Sequence, residues 1–288
     1  MMEIGDEQAF DYVRRHMLKT RGIDLSSYSR SFTMRVLRKR MNRVGTDDHM
    51  TYVAQLRRSK EETDELIKAL SINVTDFFRD RGAFEALAAK AVRPLLTEKS
   101  SMGWSSLRIW SAGCATGQET YTLAICVAEE LKRLGENSHR PLVRIIGTDL
   151  SSRALGTARR AEYTSEQLKG LSSKLIDEYF MAKGDMFEVS PSITRMVRFS
   201  RANLLDKPEQ NFFDAVVCRN VIIYFSRGAH DAVIINLHRS LRAGGFLMLG
   251  RTETLMGAPR SLFESVDPEN RLFRKKPSLD GGSGILRR

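Results

Sequence analysis

The sequence predicts an α/β fold: a doubly wound, mostly parallel sheet preceded by a small all-α domain. Three observations predict it. A short apolar run, Leu107-Arg108-Ile109-Trp110, breaks into a glycine turn and then into a helical pattern. Further buried-type runs, Val143 to Asp149 and Phe212 to Cys218, alternate with helical segments, the signature of βαβ units. Residues 6 to 66 carry helical periodicity only.

A chain of 288 residues can form one large domain or two modest ones. No run approaches ~18 consecutive apolar residues, so no membrane span is expected. The opening MMEIGDEQAF is acidic and lacks the basic flank and apolar core of a signal peptide. Cys114, Cys126 and Cys218 are widely spaced and suggest neither a metal site nor a disulfide framework. A reducing, cytoplasmic location is therefore expected. The net charge of +11 is unevenly placed: between Tyr12 and Thr46 ten Lys/Arg stand against one acid, Asp24. Such a block is either a solvated face or a surface for an acidic partner.

In the helical region, Phe10, Val13, Met17 and Leu18 form one apolar stripe, and Met34, Leu37, Met41 and Val44 form another. Opposite the second stripe, Arg35, Lys39 and Arg43 stand at four-residue steps with Arg38 beside them, and Gly45 is placed to cap the helix. The junction, INVTDFFRDRGAFEAL, holds packing residues Phe77, Phe78, Phe84 and Leu87. Asn73, Thr75 and Arg79 are polar groups embedded among them, and buried polar groups need partners.

The stretch LRIWSAGCATGQETYT is a strand, a turn with Gly113 and Gly117, and a helix opening. Such turns lie at the carboxyl end of a parallel strand, where open sheets bind ligands. The G-x-x-x-G spacing is neither the dinucleotide fingerprint nor the P-loop. Glu119 at the helix start would repel a pyrophosphate and favour an ammonium or a sulfonium. S-adenosylmethionine carries both. VRIIGTD is the second strand, and its terminal Asp149 suits ribose hydroxyls or, alternatively, a helix cap. EQLKGLSSKLIDEYF is helical, and MFEVSPSITRMVRFS suggests two short strands joined by a proline turn within an inserted antiparallel subdomain. Asn203 follows the strand ending at Ser200, and Arg219-Asn220 end the buried run FFDAVVC, four residues before Tyr224. SLFESV and NRLFRKK read as a closing antiparallel pair. The five histidines, among them His230 and His238, read as surface residues.

The chain order of these strand-end groups resembles the class I S-adenosylmethionine methyltransferases, whose sheet has seven strands with an antiparallel final hairpin. Ser111 stands where many of them carry an acid, and Glu119 is placed to take over that role. The segments INVTDFFRD, SAGCATGQETYTLA, GTDLSSRALGTARRAEY, NLLD and VCRNVIIYF together resemble the CheR family of chemotaxis-receptor glutamate methyltransferases over about Asp6 to Lys275. The resemblance implies a helical docking domain at 1–70, a linker and connecting helix at 71–106, and a methyltransferase domain at 107–276. A β-subdomain is inserted at about 163–200, and residues 277–288 have the composition of a flexible tail.

Carried over by motif, cofactor contacts fall on Asn73, Thr75, Arg79, Gly113, Glu119, Asp149, Asn203, Leu204, Arg219 and Asn220. Arg79 and Tyr224 are the candidates for methyl-transfer chemistry. Arg35, Arg38, Lys39 and Arg43 are the candidates for binding the helical cytoplasmic region of membrane chemoreceptors. The implied cofactor is S-adenosylmethionine, leaving as S-adenosylhomocysteine, with no metal. A monomer with no nucleic-acid partner is expected. The loop at Ala182-Lys183-Gly184-Asp185 looks short for receptor-tail binding, so direct recognition of the methylated helices is expected. Three rivals are a non-catalytic cofactor-binding adaptor, a nucleic-acid methyltransferase and a small-molecule methyltransferase. An adaptor need not keep Arg79 and Tyr224. The basic helix also lacks the aromatic interleaving that nucleic-acid enzymes use.

Overall fold

The structure, a computed structural model, describes residues 4–70, 75–103, 106–135 and 138–277. Four helices come first: α1 (Ile4–Arg21), α2 (Arg30–Val44), α3 (His49–Arg58) and α4 (Lys60–Leu70). Their ends follow from local chemistry. Ser29 caps α2 by accepting from Phe32 N, and Gly45 closes it in the left-handed region at φ 76°. Asp48 caps α3 through Met50 N and Thr51 N. Phe10, Val13, Met17, Phe32, Leu37, Met41, Tyr52, Leu56 and Leu66 form one apolar core. Leu18 departs from the expected stripe and is 48% exposed, because the buried face runs through Ala9 and Phe10 to Val13 and Met17 at three- and four-residue steps.

The chain then enters α5 (Arg81–Leu87), which passes through a π-helical turn, Ala88–Val92, into α6 (Arg93–Met102). There follow β1 (Ser106–Ala112), α7 (Gln118–Arg133), β2 (Leu142–Asp149), α8 (Ser152–Arg160), β3 (Glu162–Thr164) and α9 (Ser173–Tyr179). Next come β4 (Phe180–Lys183), β5 (Met186–Val189), α10 (Pro191–Thr194), β6 (Val197–Arg201) and β7 (Phe213–Cys218). The last elements are α11 (Arg227–Ser240), β8 (Leu241–Leu249), β9 (Phe263–Asp267) and β10 (Leu272–Lys275).

The main sheet has seven strands in the order β6-β2-β1-β7-β8-β10-β9. The first five strands run parallel, and β10 pairs antiparallel with both β8 and β9. Strands buried on both faces explain the unbroken apolar runs. Ile109, Ile145 and Val217 pack with Leu123, Ala124 and Val127 of α7. Trp110, Val216 and Leu247 pack on the other side with Val233, Ile234 and Leu237 of α11. The chain leaves the central strand β1 for β2 on one side, and β7 flanks it on the other. This topological switch point sets the crevice at the strands' carboxyl ends.

A second, three-stranded antiparallel sheet has the order β3-β5-β4. Here the expected pairing is corrected: MFEV does not pair with MVRFS. The strand β5 lies between β3 and β4, and β6 is the edge strand of the main sheet, parallel to β2. The short helix α10, with Pro191 in its first turn and Ile193 fully buried, turns the chain from one sheet to the other. The β4–β5 hairpin closes on Gly184-Asp185, with Gly184 at φ 59°.

Candidate active site

The glycine turn is held by two backbone contacts: Gly113 N and Cys114 N both donate to Thr148 O of β2, at 2.8 and 2.9 Å. Gly113 has φ 80°, and a Cβ there would lie 2.5 Å from Val221 Cγ2. No other residue fits so close an approach. Ala115 is also left-handed, at φ 48°, and its N–H donates to Asp149 Oδ2 at 2.9 Å. Asp149 Oδ1 accepts from Ser151 N at 2.8 Å, and Ser151 in turn caps α8. Asp149 therefore braces the loop from the neighbouring strand. A carboxylate offers about four acceptor sites. Backbone N–H groups occupy part of this capacity, and the group also lines a cavity. Burial raises its pKa.

Glu119 stands in the first turn of α7, nine-tenths buried. It accepts from Ser111 Oγ at 3.0 Å and lies 3.8 Å from Arg219 Nη1. Ser111 thus supports Glu119. Burial pushes the Glu119 carboxyl up to about 7, against the opposing pull of Arg219 and Ser111. Arg219 donates to Arg79 O at 2.9 Å and to Asp80 Oδ2 at 2.5 Å, and lies 5.0 Å from the centre of the Phe84 ring. Its Nε is buried with no hydrogen-bond partner.

Two cavities open on either side of Gly113. One is lined by Tyr28, Leu70, Asp149, Asn203, Leu204 and Tyr224, the other by Thr75, Arg79, Phe84, Ala115, Glu119 and Arg219. Gly113, Asn220 and Val221 belong to both. The structure therefore gathers the strand-end residues around one turn. It does not bring the two candidate chemical groups into one cavity: Tyr224 faces Asp149's side and Arg79 faces Glu119's. Asn73 lies outside the described residues. Asn203 accepts from Leu205 N at 3.2 Å, and Leu204 O accepts from Asn236 Nδ2 at 3.0 Å, so both are fixed by local bonds.

The arrangement fits a cationic nucleoside such as S-adenosylmethionine. A buried carboxylate faces one cavity, the other holds Asp149 among apolar and aromatic walls, and Gly113, where a Cβ would collide with Val221, lines both. The unpartnered Arg219 Nε adds a donor for a carboxylate.

Sequence reasoning missed three residues. Tyr28, from the helical domain, stacks on Phe225 at 5.2 Å, and its hydroxyl pKa is pushed up to about 12 by burial and the field of Asp149. Val221 seats on Gly113. Glu253 accepts four backbone N–H bonds, three from the loop carrying Asn220 and one from Gly250 in its own turn. A carboxylate shortly after a buried strand was the available signal for Glu253; Tyr28 gave none.

On α2, Arg35, Arg38, Lys39 and Arg43 are all exposed, and none joins an ion pair among the described residues. Arg40 leaves this face to pair with the buried Glu62, which also accepts from Tyr52 Oη at 2.8 Å. The histidine reading needs correction. His230 is buried on α11 beside Asp231. His238 packs edge-on against Phe263, and burial, with Lys275 and Arg239 nearby, lowers its pKa to about 4. No helix among the described residues is long and apolar enough to cross a membrane.

Two family models match the chain. The CheR methyltransferase all-alpha domain covers residues 8–71 and the CheR methyltransferase S-adenosylmethionine-binding domain covers 73–270. Chemotaxis protein methyltransferase 1 of Pseudomonas aeruginosa is 34% identical over 87% of this chain and 91% of its own length. The chemotaxis protein methyltransferase of Listeria monocytogenes is 32% identical over the same shares, 87% and 91%. An uncharacterised 104.1 kDa protein of Rhodobacter capsulatus is 32% identical over 81% of this chain, which spans only 24% of that protein.

Proposed function

The chain belongs to the CheR methyltransferase family, and on that premise we propose that it transfers a methyl group from S-adenosylmethionine to glutamate side chains of chemotaxis receptors. The products are γ-glutamyl methyl esters and S-adenosylhomocysteine. The carrying observation is that both family domains match in series and that residues of both, Tyr28 and Leu70 from the first and Gly113 and Asp149 from the second, line one cavity beside the glycine turn.

When bound, S-adenosylmethionine supplies an electrophilic methyl group on a sulfonium. The chain's residues have positioning to do. A glutamate carboxyl has a pKa of about 4.3 and is already ionised at neutral pH. No general base is needed, and no histidine lines either cavity. Glu119 favours the cationic methionine end, Asp149 the ribose, and Arg79 a carboxylate through a charge-assisted fork. Tyr28 and Leu70 exclude water, and the Tyr224 hydroxyl acts at the reacting end. Alignment of this kind supplies roughly 7–11 kcal/mol. Tyr224→Phe keeps the ring contact with Phe32, at 4.8 Å, and should lower turnover more than cofactor affinity.

The basic face of α2 is the proposed receptor dock. Phe32 of the same helix touches Tyr224, so an acidic helix lying on Arg35, Lys39 and Arg43 would lead towards that cavity. Exposed pairs contribute up to about 1 kcal/mol each, so several act together. Reversing Arg35, Arg38 and Lys39 to Glu should abolish transfer of radiolabelled methyl to receptor membranes while leaving S-adenosylhomocysteine binding intact. Release of the wild-type label as methanol in alkali identifies an ester. Normal rates in the triple variant would return the helix to a solubilising role.

A further inference from the structure

We propose that Glu253 is a positioning residue for methyl transfer, acting as a clamp that sets the loop Asn220–Tyr224. This rests on the methylation reading above. Glu253 is 2% exposed and sits just after β8. Its Oε2 accepts from Gly250 N at 2.7 Å and Asn220 N at 3.0 Å, and its Oε1 accepts from Val221 N and Ile222 N, both at 2.9 Å. One carboxylate thus satisfies four backbone donors that a strand end and a tight turn would otherwise leave buried and unmet.

The loop so held turns sharply and lies in the site. Asn220 is left-handed at φ 58° and lines both cavities. Val221 packs on Gly113, and Tyr224 closes the turn against Phe32. Gly250 is matched to the clamp, since a Cβ there would lie 2.8 Å from Glu253 Oε2 and 2.9 Å from Asn220 N. No other described carboxylate reaches these four donors. Glu253 lines neither cavity; it reaches the cofactor-assigned Asn220 only at its backbone N–H, and its effect travels through the backbone of Asn220, Val221 and Ile222.

Glu253→Gln keeps the shape and turns an amide donor towards two of the four N–H groups. Gly250→Ala keeps the carboxylate and displaces it. A misplacement of about 1 Å at a reacting centre can cost roughly 10²-fold in rate. Both variants should therefore lose roughly 10- to 100-fold in kcat, with the receptor KM within about twofold because α2 is untouched. Amide hydrogen exchange should speed up in residues 219–224 and stay slow in α7 and α11. A kcat within about twofold of wild type, or exchange raised uniformly over the chain, would overturn the clamp. Should neither variant fold, the wild-type protein still decides. The amides of Asn220, Val221, Ile222 and Gly250 should exchange as slowly as those of β7 and β8, and fast exchange there refutes the proposal. If wild-type protein puts no base-labile methyl on receptor, the methylation reading fails while the exchange result still tests the clamp.

Discussion

Glu119 owes its properties to where the helix α7 starts. A carboxyl carried into a buried turn, with Ser111 at 3.0 Å and Arg219 Nη1 at 3.8 Å, is held near neutrality, at about 7. Its folded pKa is above the ordinary 4.5, so its contribution to stability is full below pH ~4.5 and is lost as pH rises through about 7. A bound cation reverses that preference and draws the proton off. S-adenosylmethionine affinity should therefore rise with pH up to about 7, with proton release visible by calorimetry in buffers of different ionisation enthalpy. Glu119→Gln should flatten both profiles and weaken S-adenosylmethionine binding by roughly 10- to 100-fold, the range of a charged hydrogen-bonding partner worth ~1.5–3 kcal/mol. Unchanged affinity and an unchanged pH profile would confine the residue to the helix start.

The glycine turn is the element on which the site depends. Its backbone is fixed from β2, by Thr148 O and Asp149, and its outer side is covered by Val221. Gly113→Ala adds a Cβ 2.5 Å from Val221 Cγ2 at a φ of 80°. The left-handed backbone alone costs an L-residue about 1–2 kcal/mol. The variant should lower the unfolding midpoint in urea and weaken S-adenosylhomocysteine binding by more than tenfold. Normal binding would show that Val221 can yield without disturbing either cavity. The two-residue hairpin turn at Gly184-Asp185 belongs to the same scale. The turn is as short as its sequence led one to expect.

At the scale of the whole molecule, the helical domain is sewn to the sheet domain by a short antiparallel ladder. Ser29 N donates to Tyr224 O and Ser226 N to Ser27 O, both at 2.8 Å, and Tyr28 stacks on Phe225 between them. Tyr28 and Leu70 also line the cavity that holds Asp149. Cofactor affinity should therefore depend on domain docking. Tyr28→Ala should weaken S-adenosylhomocysteine binding by roughly tenfold or more, as for an aromatic worth ~1.5–3 kcal/mol on burial. Receptor methylation should fall with it. Retention of wild-type affinity by calorimetry would show that the helical domain docks substrate only.

The residues by themselves did not mark the strands β3 and β4 but did mark β1, β2 and β7, the glycine turn, the acids at strand ends and the basic face of α2. These are local: periodicity, glycine spacing and charge placement are written within one helix or one strand end. Asp149 could be placed at the end of β2 from VRIIGTD alone, but not as the brace of Ala115, because that bond joins two strands. The partners of Glu253, and the presence of Tyr28 at the site, were illegible for the same reason. Each acts on residues far along the chain, and only the stacking of β8 beside β7 and of the helical domain on Phe225 brings them to the site. The placing of β6 in the main sheet was decided likewise. A short apolar strand fits either sheet locally, and the burial of Ile193 and Val197 selects one.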